Sequence, residues 1–155
     1  MQLSSSAFQA NTAIPIRYTC EGEDISPEFS WRNAPPETKT FALVLHDPDA
    51  PRAGGFTHWL LYNIPANVQR LNEKMPKKER LPEGMQGKND AGKTGYMGPC
   101  PPSGMHRYFA RIFALDAELK LPPGATHSQL DAAMRGHVLA EAELMGTYMK
   151  KSQAA

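Results

Sequence analysis

Three stretches of the chain are apolar enough to be buried strands. Phe41-Ala42-Leu43-Val44-Leu45 is a continuous apolar run bounded by turn residues, the mark of a strand covered on both faces. Phe56 to Ile64 is the second. Simple alternation puts Phe56, His58, Leu60, Tyr62 and Ile64 on one of its faces and Thr57, Trp59, Leu61 and Asn63 on the other. His106 to Leu115 is the third, with His106, Tyr108, Ala110, Ile112 and Ala114 pointing one way. Residues 1–30 read as extended, with turns at Glu21-Gly22 and Ser26-Pro27, leading into a strand at Phe29-Ser30-Trp31 that Asn33-Ala34-Pro35-Pro36 ends. Asn67 to Gly92 has no clear periodicity and reads as a solvated connection, its Lys74–Arg80 portion a plain exposed loop. After the turn Leu121-Pro122-Pro123-Gly124, Thr126 or Ser128 can cap a short helix through Met134, with Gly136 at its C-terminal end. The closing segment fits two periods. Val138, Ala142, Met145 and Met149 have helical spacing, whereas Ala140, Ala142, Leu144, Gly146 and Tyr148 alternate as a strand would.

Composition narrows this picture. At 155 residues the chain is most simply one domain, 1–155, with a core of its own. Fourteen prolines and twelve glycines cut it into short segments, which suits a β-rich domain with substantial loops better than a helical bundle. A net charge of +1 gives no electrostatic reason to expect nucleic acid or a membrane surface. Met1-Gln2-Leu3-Ser4-Ser5-Ser6-Ala7-Phe8 has neither a basic region nor an apolar stretch, so no signal peptide is read, and no run approaches a membrane span. The expected location is cytoplasmic. Cys20 and Cys100 are then expected as free thiols, because a reducing cytosol disfavours structural disulfides.

One motif is a decoy. Gly87-Lys88-Asn89-Asp90-Ala91-Gly92-Lys93-Thr94 matches the phosphate-cradling G-x-x-x-x-G-K-[ST] pattern letter for letter. Such a loop needs a buried strand before it and a helix after it. Leu81-Pro82-Glu83-Gly84 and Gly95-Tyr96-Met97-Gly98-Pro99 supply neither. No nucleotide chemistry is expected there.

Chemistry gathers instead where two Pro/Gly-rich loops meet apolar strands. These are Asp47-Pro48-Asp49-Ala50-Pro51, with His58 soon after, and Gly98-Pro99-Cys100-Pro101-Pro102-Ser103-Gly104-Met105-His106-Arg107-Tyr108. Proline stiffens each loop and glycine bends it, and a strand end holds polar groups in fixed geometry. Two aspartates, two histidines and a tyrosine on such edges predict a small polar pocket. Imidazoles beside carboxylates are favoured in their charged form, so His58 and His106 are expected to supply positive charge to an anion. A phosphate monoester, whose second pKa is about 6, can also arrive protonated and donate to an aspartate. Backbone N–H groups of the Gly98 loop are expected to point at its oxygens.

These two motifs, in this order, resemble the phosphatidylethanolamine-binding protein family, which includes the Raf kinase inhibitor proteins and their small bacterial relatives. Tyr18–Pro27 and Gly136–Leu144 also resemble the bacterial branch, so the similarity covers nearly the whole chain. The resemblance implies an antiparallel β-sandwich with Greek-key features and one or two short helices, and it favours a strand for the closing segment. It implies that Asp47, His58, Gly98, His106 and Tyr108 stand where the family binds phosphate-like anions, with Pro99 beside Gly98 and Phe56 as an aromatic wall. The connection Arg52-Ala53-Gly54-Gly55 is shorter than in animal members and lacks a tyrosine they place there. Asp49 reads as an orienting residue rather than a ligand. Asp47 and Asp49 also have a purely local reading, as residues fixing their turn by side-chain hydrogen bonds.

The function expected is therefore binding of a small phosphorylated or carboxylated ligand, with modulation of a partner kinase or protease implied by the family and a homodimer by its bacterial branch. No cofactor is expected. Two histidines and two carboxylates also suit zinc, but the spacing matches no compact motif such as H-E-x-x-H. The rival reading is a hydrolase in which His58 or His106, oriented by Asp47, serves as general base and Cys100 as nucleophile. No G-x-S-x-G elbow accompanies it.

Overall fold

A computed structural model describes residues 1–151. Two sheets pack face to face. The smaller is ordered β1-β3-β6, from β1 (Gln2–Ser4), β3 (Phe29–Arg32) and β6 (Arg70–Leu71). The larger contains β2 (Thr12–Ala13), β4 (Thr40–Asp47), β5 (Phe56–Pro65), β7 (Arg80–Leu81), β8 (Gly84–Gln86), β9 (His106–Leu115) and β10 (Val138–Tyr148). Its order is β2-β10-β9-β4-β5-β8-β7. All pairings are antiparallel except the two-residue contact of β2 with β10. This is the expected β-sandwich, and the closing segment is a strand.

Central β4 is apolar throughout because both its faces are covered. Phe41, Leu43 and Leu45 enter the core between the sheets with Phe29, Trp31, Trp59 and Ile112. Ala42 and Val44 enter a second core with Leu60, Tyr62, Leu130 and Met134 on the opposite face. The helix α1 (His127–Met134) covers that second core. Thr126 caps it, accepting from the Gln129 N–H while the Gln129 side chain accepts from the Thr126 N–H. Strand β9 keeps the predicted alternation, with Tyr108, Ala110, Ile112 and Ala114 in the inter-sheet core.

Strand β5 departs from simple alternation twice. Leu45 pairs with Trp59 and His46 with Thr57, so His58 is an extra residue with no partner on β4. This bulge puts His58 beside Tyr108 and lets Trp59 and Leu61 follow on the same inter-sheet side. Leu60 and Tyr62 therefore face α1, not the side of His58. A second irregularity sets Tyr62 and Asn63 against Ala42, and Asn63 takes a left-handed φ of 52°. Its side chain locks the kink, donating to Leu119 O at 2.9 Å and accepting from Leu119 N at 2.7 Å. Ile64 is thereby returned to the inter-sheet core.

Two further expectations are corrected. The 67–92 connection carries three short strands and buries Leu71, Met75 and Gln86. Strands of two or three residues are too brief to show a period. Cys20 and Cys100 are joined in a disulfide, Cα to Cα 5.4 Å, so neither is a free thiol. The phosphate-loop decoy is a tight turn organised by buried Asn89, whose Oδ1 accepts from Ala91 N and Lys93 N; no helix follows it. Among the described residues, no helix is long and apolar enough to cross a membrane.

Two outcomes follow from these constraints. Asn63→Ala removes both Leu119 bonds and places a less tolerant residue at positive φ, so chemical denaturation should register a loss of about 2–4 kcal/mol. The disulfide closes a loop with a sequence separation of 80. Chain-entropy reasoning gives such a cross-link about 4 kcal/mol, so a dithiol reductant should lower the melting temperature by on the order of 10 °C. Unchanged melting under reduction would contradict this placement of the bridge.

Candidate functional site

Both Pro/Gly-rich loops close over one end of the sandwich, around a cavity of about 210 Å³. Asp47, Phe56, His58, Gly98, His106 and Tyr108 line it, so six of the eight residues singled out in the sequence come together. Asp49 and Pro99 lie outside the lining. Asp49 turns away to pair with Arg107, at 2.9 Å to the backbone N, Nε and Nη2. Those bonds hold its carboxyl at a pKa of about 2. The Pro99 carbonyl accepts from Cys20 N at 3.1 Å, beside the disulfide.

Asp47 ends β4 and is almost fully buried. Each of its oxygens takes one protein donor and keeps a second lone pair: Oδ1 accepts from Asp49 N at 2.7 Å, and Oδ2 accepts from His106 Nδ1 at 2.7 Å. The carboxylate thus fixes its own turn and also orients His106, leaving Nε2 as the His106 nitrogen that can face the cavity. Gly55 permits the turn to close. Its φ is 76°, and a Cβ there would stand 2.3 Å from Asp47 O.

His58 is fixed by the facing loop. Its Nδ1–H donates to Met97 O at 2.6 Å, and Met97 N donates back to His58 O at 3.1 Å. Burial pushes the His58 pKa down, and the pull of Asp47 does not offset it. The shift favours the neutral ring, with its proton on Nδ1 and its lone pair on Nε2, and runs against the positive charge expected of His58.

Tyr108 lies between the two imidazoles, its ring centroid 5.3 Å from that of His58 and 6.5 Å from that of His106. Its side chain is 1% exposed, and its hydroxyl has no hydrogen-bond partner among the described residues. Burial raises the phenol's pKa far above its ordinary value, with Asp47 and Asp49 adding to the effect, so the hydroxyl stays protonated.

The Gly98 amide does not face the cavity as expected; it donates to Asp24 Oδ1 at 2.7 Å. Glycine is needed there for approach. A Cβ would fall 2.3 Å from Tyr18 O and 2.4 Å from Asp24 Oδ1. Tyr96, fully buried, donates to Tyr18 O at 2.6 Å and ties the same two segments. With the disulfide, these bonds fasten the Gly98 wall to residues 18–24.

Sequence reasoning missed Arg52. It lines the cavity with its guanidinium 5.5 Å from the Phe56 ring centroid, a cation–π contact at the mouth. Nothing periodic marks a loop arginine, so only the fold reveals it. Its loop is anchored by His46, which donates from Nε2 to Gly54 O at 2.7 Å and meets Thr57 Oγ1 through Nδ1 at 2.9 Å. Among the described residues no three His, Cys, Asp or Glu side chains converge as metal ligands would.

The model of the family described as phosphatidylethanolamine-binding protein matches residues 4–149. A UPF0098 protein from Methanothermobacter thermautotrophicus is 52% identical over 151 residues, covering 97% of this chain and 99% of the relative. A solved structure of a phosphatidylethanolamine-binding protein homolog, CT736 from Chlamydia trachomatis, superposes with a TM-score of 0.89 at 42% identity, covering 97% of each chain. E. coli YBCL, described as a new member of the mammalian family, superposes with a TM-score of 0.89 at 30% identity, covering 97% of this chain and 98% of its own. Matched along nearly its whole length in sequence and in fold, the chain belongs to the phosphatidylethanolamine-binding protein family.

Proposed function

We propose that this protein is a binding protein whose cavity captures a small oxyanion, phosphorylated or carboxylated. Tyr108 donates to the bound group, His58 and His106 present their Nε2 atoms to it, Phe56 walls it and Arg52 attracts it at the mouth. One observation carries the reading: the Tyr108 hydroxyl is buried and unpaired. Buried hydroxyls are nearly always bonded, and an unsatisfied one costs about 1–3 kcal/mol. Tyr108 lines the adjoining cavity, so a ligand oxygen that enters beside the ring, with a small shift of the walls, supplies the missing acceptor.

The hydrolase reading loses its nucleophile. Cys100 lines the cavity, but its sulfur is bonded to Cys20 and no thiolate is there to attack. A kinase or protease partner and a homodimer lie outside the proposal, which rests on the cavity alone.

Tyr108→Phe tests it by separating binding from stability. Removing an orphan hydroxyl should leave thermal stability unchanged or slightly higher, because nothing bonded is lost. Calorimetric titration with inorganic phosphate and with acetate should nevertheless weaken about 5- to 15-fold, the worth of a hydrogen bond of about 1–1.5 kcal/mol. Undiminished binding of both anions, or none by the unaltered protein, would remove the support for an oxyanion site.

A further inference from the structure

Beyond the hydrogen-bonding groups of the pocket, the chain holds one further reactive pair, Cys20 and Cys100. Both residues are exposed, and their sulfurs are bonded to each other. The bond also stands at the pocket, because Cys100, Pro101 and Pro102 line the cavity wall. A thiolate can reach an exposed disulfide, and exposed bridges are the labile, regulatory or catalytic ones. Closing a loop with a sequence separation of 80 stabilises the oxidised form. That sets how strong a reductant must be and leaves the bond within its reach.

The bond divides the wall into two parts. Residues 96–99 are fastened without it. Tyr96 donates to Tyr18 O, and Met97 exchanges bonds with the His58 backbone and ring. Gly98 N donates to Asp24 Oδ1, and Pro99 O accepts from Cys20 N. On the far side, His106 and Arg107 rejoin the sheet through Asp47 and Asp49. Between them runs the strap from Cys100 to Met105, whose covalent tie to the rest of the fold is Cys20. Residues 102–105 are exposed, Met105 to 61%. Pro101 and Pro102 stiffen the strap. Gly104, at a φ of 70° with open space where a Cβ would stand, gives it a hinge.

We propose that the Cys20–Cys100 disulfide is a thiol-exchange site for a dithiol, and that its opening frees the strap and widens the cavity while residues 96–99 and both sheets stay in place. The exchange balances between the two partners. One thiolate of the dithiol attacks a protein sulfur, the S–S bond breaks, and the other protein sulfur leaves as thiolate and takes up a proton. The dithiol's second thiolate then displaces the remaining protein sulfur and closes the dithiol's own disulfide. The protein gains the two electrons and two protons that the dithiol loses. The strap is a latch whose state follows the redox poise around the protein, whichever ligand the cavity takes.

Histidine reactivity reads the latch. His58 and His106 line the cavity and are 5% and 6% exposed, whereas the His137 side chain is 44% exposed and is no part of the lining. The native protein is reduced with dithiothreitol below its melting temperature, desalted under argon and treated with diethyl pyrocarbonate. Peptide mass spectrometry then follows each histidine. Both thiols should appear without denaturant. Carbethoxylation of His58 and His106, relative to His137, should rise about tenfold over the oxidised protein and fall back on reoxidation. The variant Cys20→Ser with Cys100→Ser should match the reduced protein, and the reduced native chain decides the matter if that variant does not fold. A bond that opens only in denaturant would overturn the exchange site. An unchanged ratio after complete reduction would overturn the latch. So would all five histidines reacting alike, the sign of a bridge that simply holds the fold together. None of these failures touches the oxyanion cavity, which is tested on the oxidised protein.

Discussion

The pocket hangs on the carboxylate of Asp47. One oxygen closes the turn that begins at the end of β4, and the other reaches across to the first residue of β9. A buried carboxylate is costly unless its lone pairs are bonded, and these two bonds come from different parts of the chain. The requirement for satisfaction is therefore also what joins the two loops. His106 is oriented as a consequence, and Asp49, brought alongside by the same turn, secures Arg107 on the outer face of β9. The carboxylate is a structural anion whose charge is met by protein donors from both loops.

Much of this was legible because two kinds of signal are strong in the sequence. The apolar runs of β4 and β9 announced strands covered on two sides or one, and Thr126 or Ser128 offered a cap for α1, of which the structure uses Thr126. The two loop motifs, with the family resemblance they carry, gathered Asp47, Phe56, His58, Gly98, His106 and Tyr108 before any fold was known. Period fails where a strand adds a residue. The bulge at His58 and the kink at Asn63 invert the facing of Leu60 and Tyr62, and nothing in their residue types declares it. The pairing of Cys20 with Cys100 was missed for another reason: compartment was used to infer redox state, whereas the fold sets the two α-carbons at bonding distance. Roles within the pocket were hardest to read. A histidine beside an aspartate reads as cationic, yet at His58 burial works against the charge although the Met97 carbonyl and Asp47 both favour it.

Rigidity in this site comes from outside it. The Gly98 wall touches the ligand space on one face, and on the other it is held by the Asp24 carboxylate and the disulfide, with Tyr96 just before it bonded to the Tyr18 carbonyl. The opposing loop with Arg52 has a lighter fastening, through His46 to Gly54. A pocket with one firm wall and one lightly held mouth fixes its acceptor and its donor while leaving entry adjustable.

The unpaired hydroxyl of Tyr108 carries a cost that the rest of the fold must tolerate. A buried orphan phenol lowers stability, and a sequence selected for stability alone would place phenylalanine at position 108. Two cores, one on each face of β4, and a cross-link between distant segments supply the reserve. Stability given up at an unsatisfied group returns as affinity when a bound group completes its bond. The unmet hydrogen-bonding capacity of the Tyr108 hydroxyl is thus a constraint that a bound group would relieve.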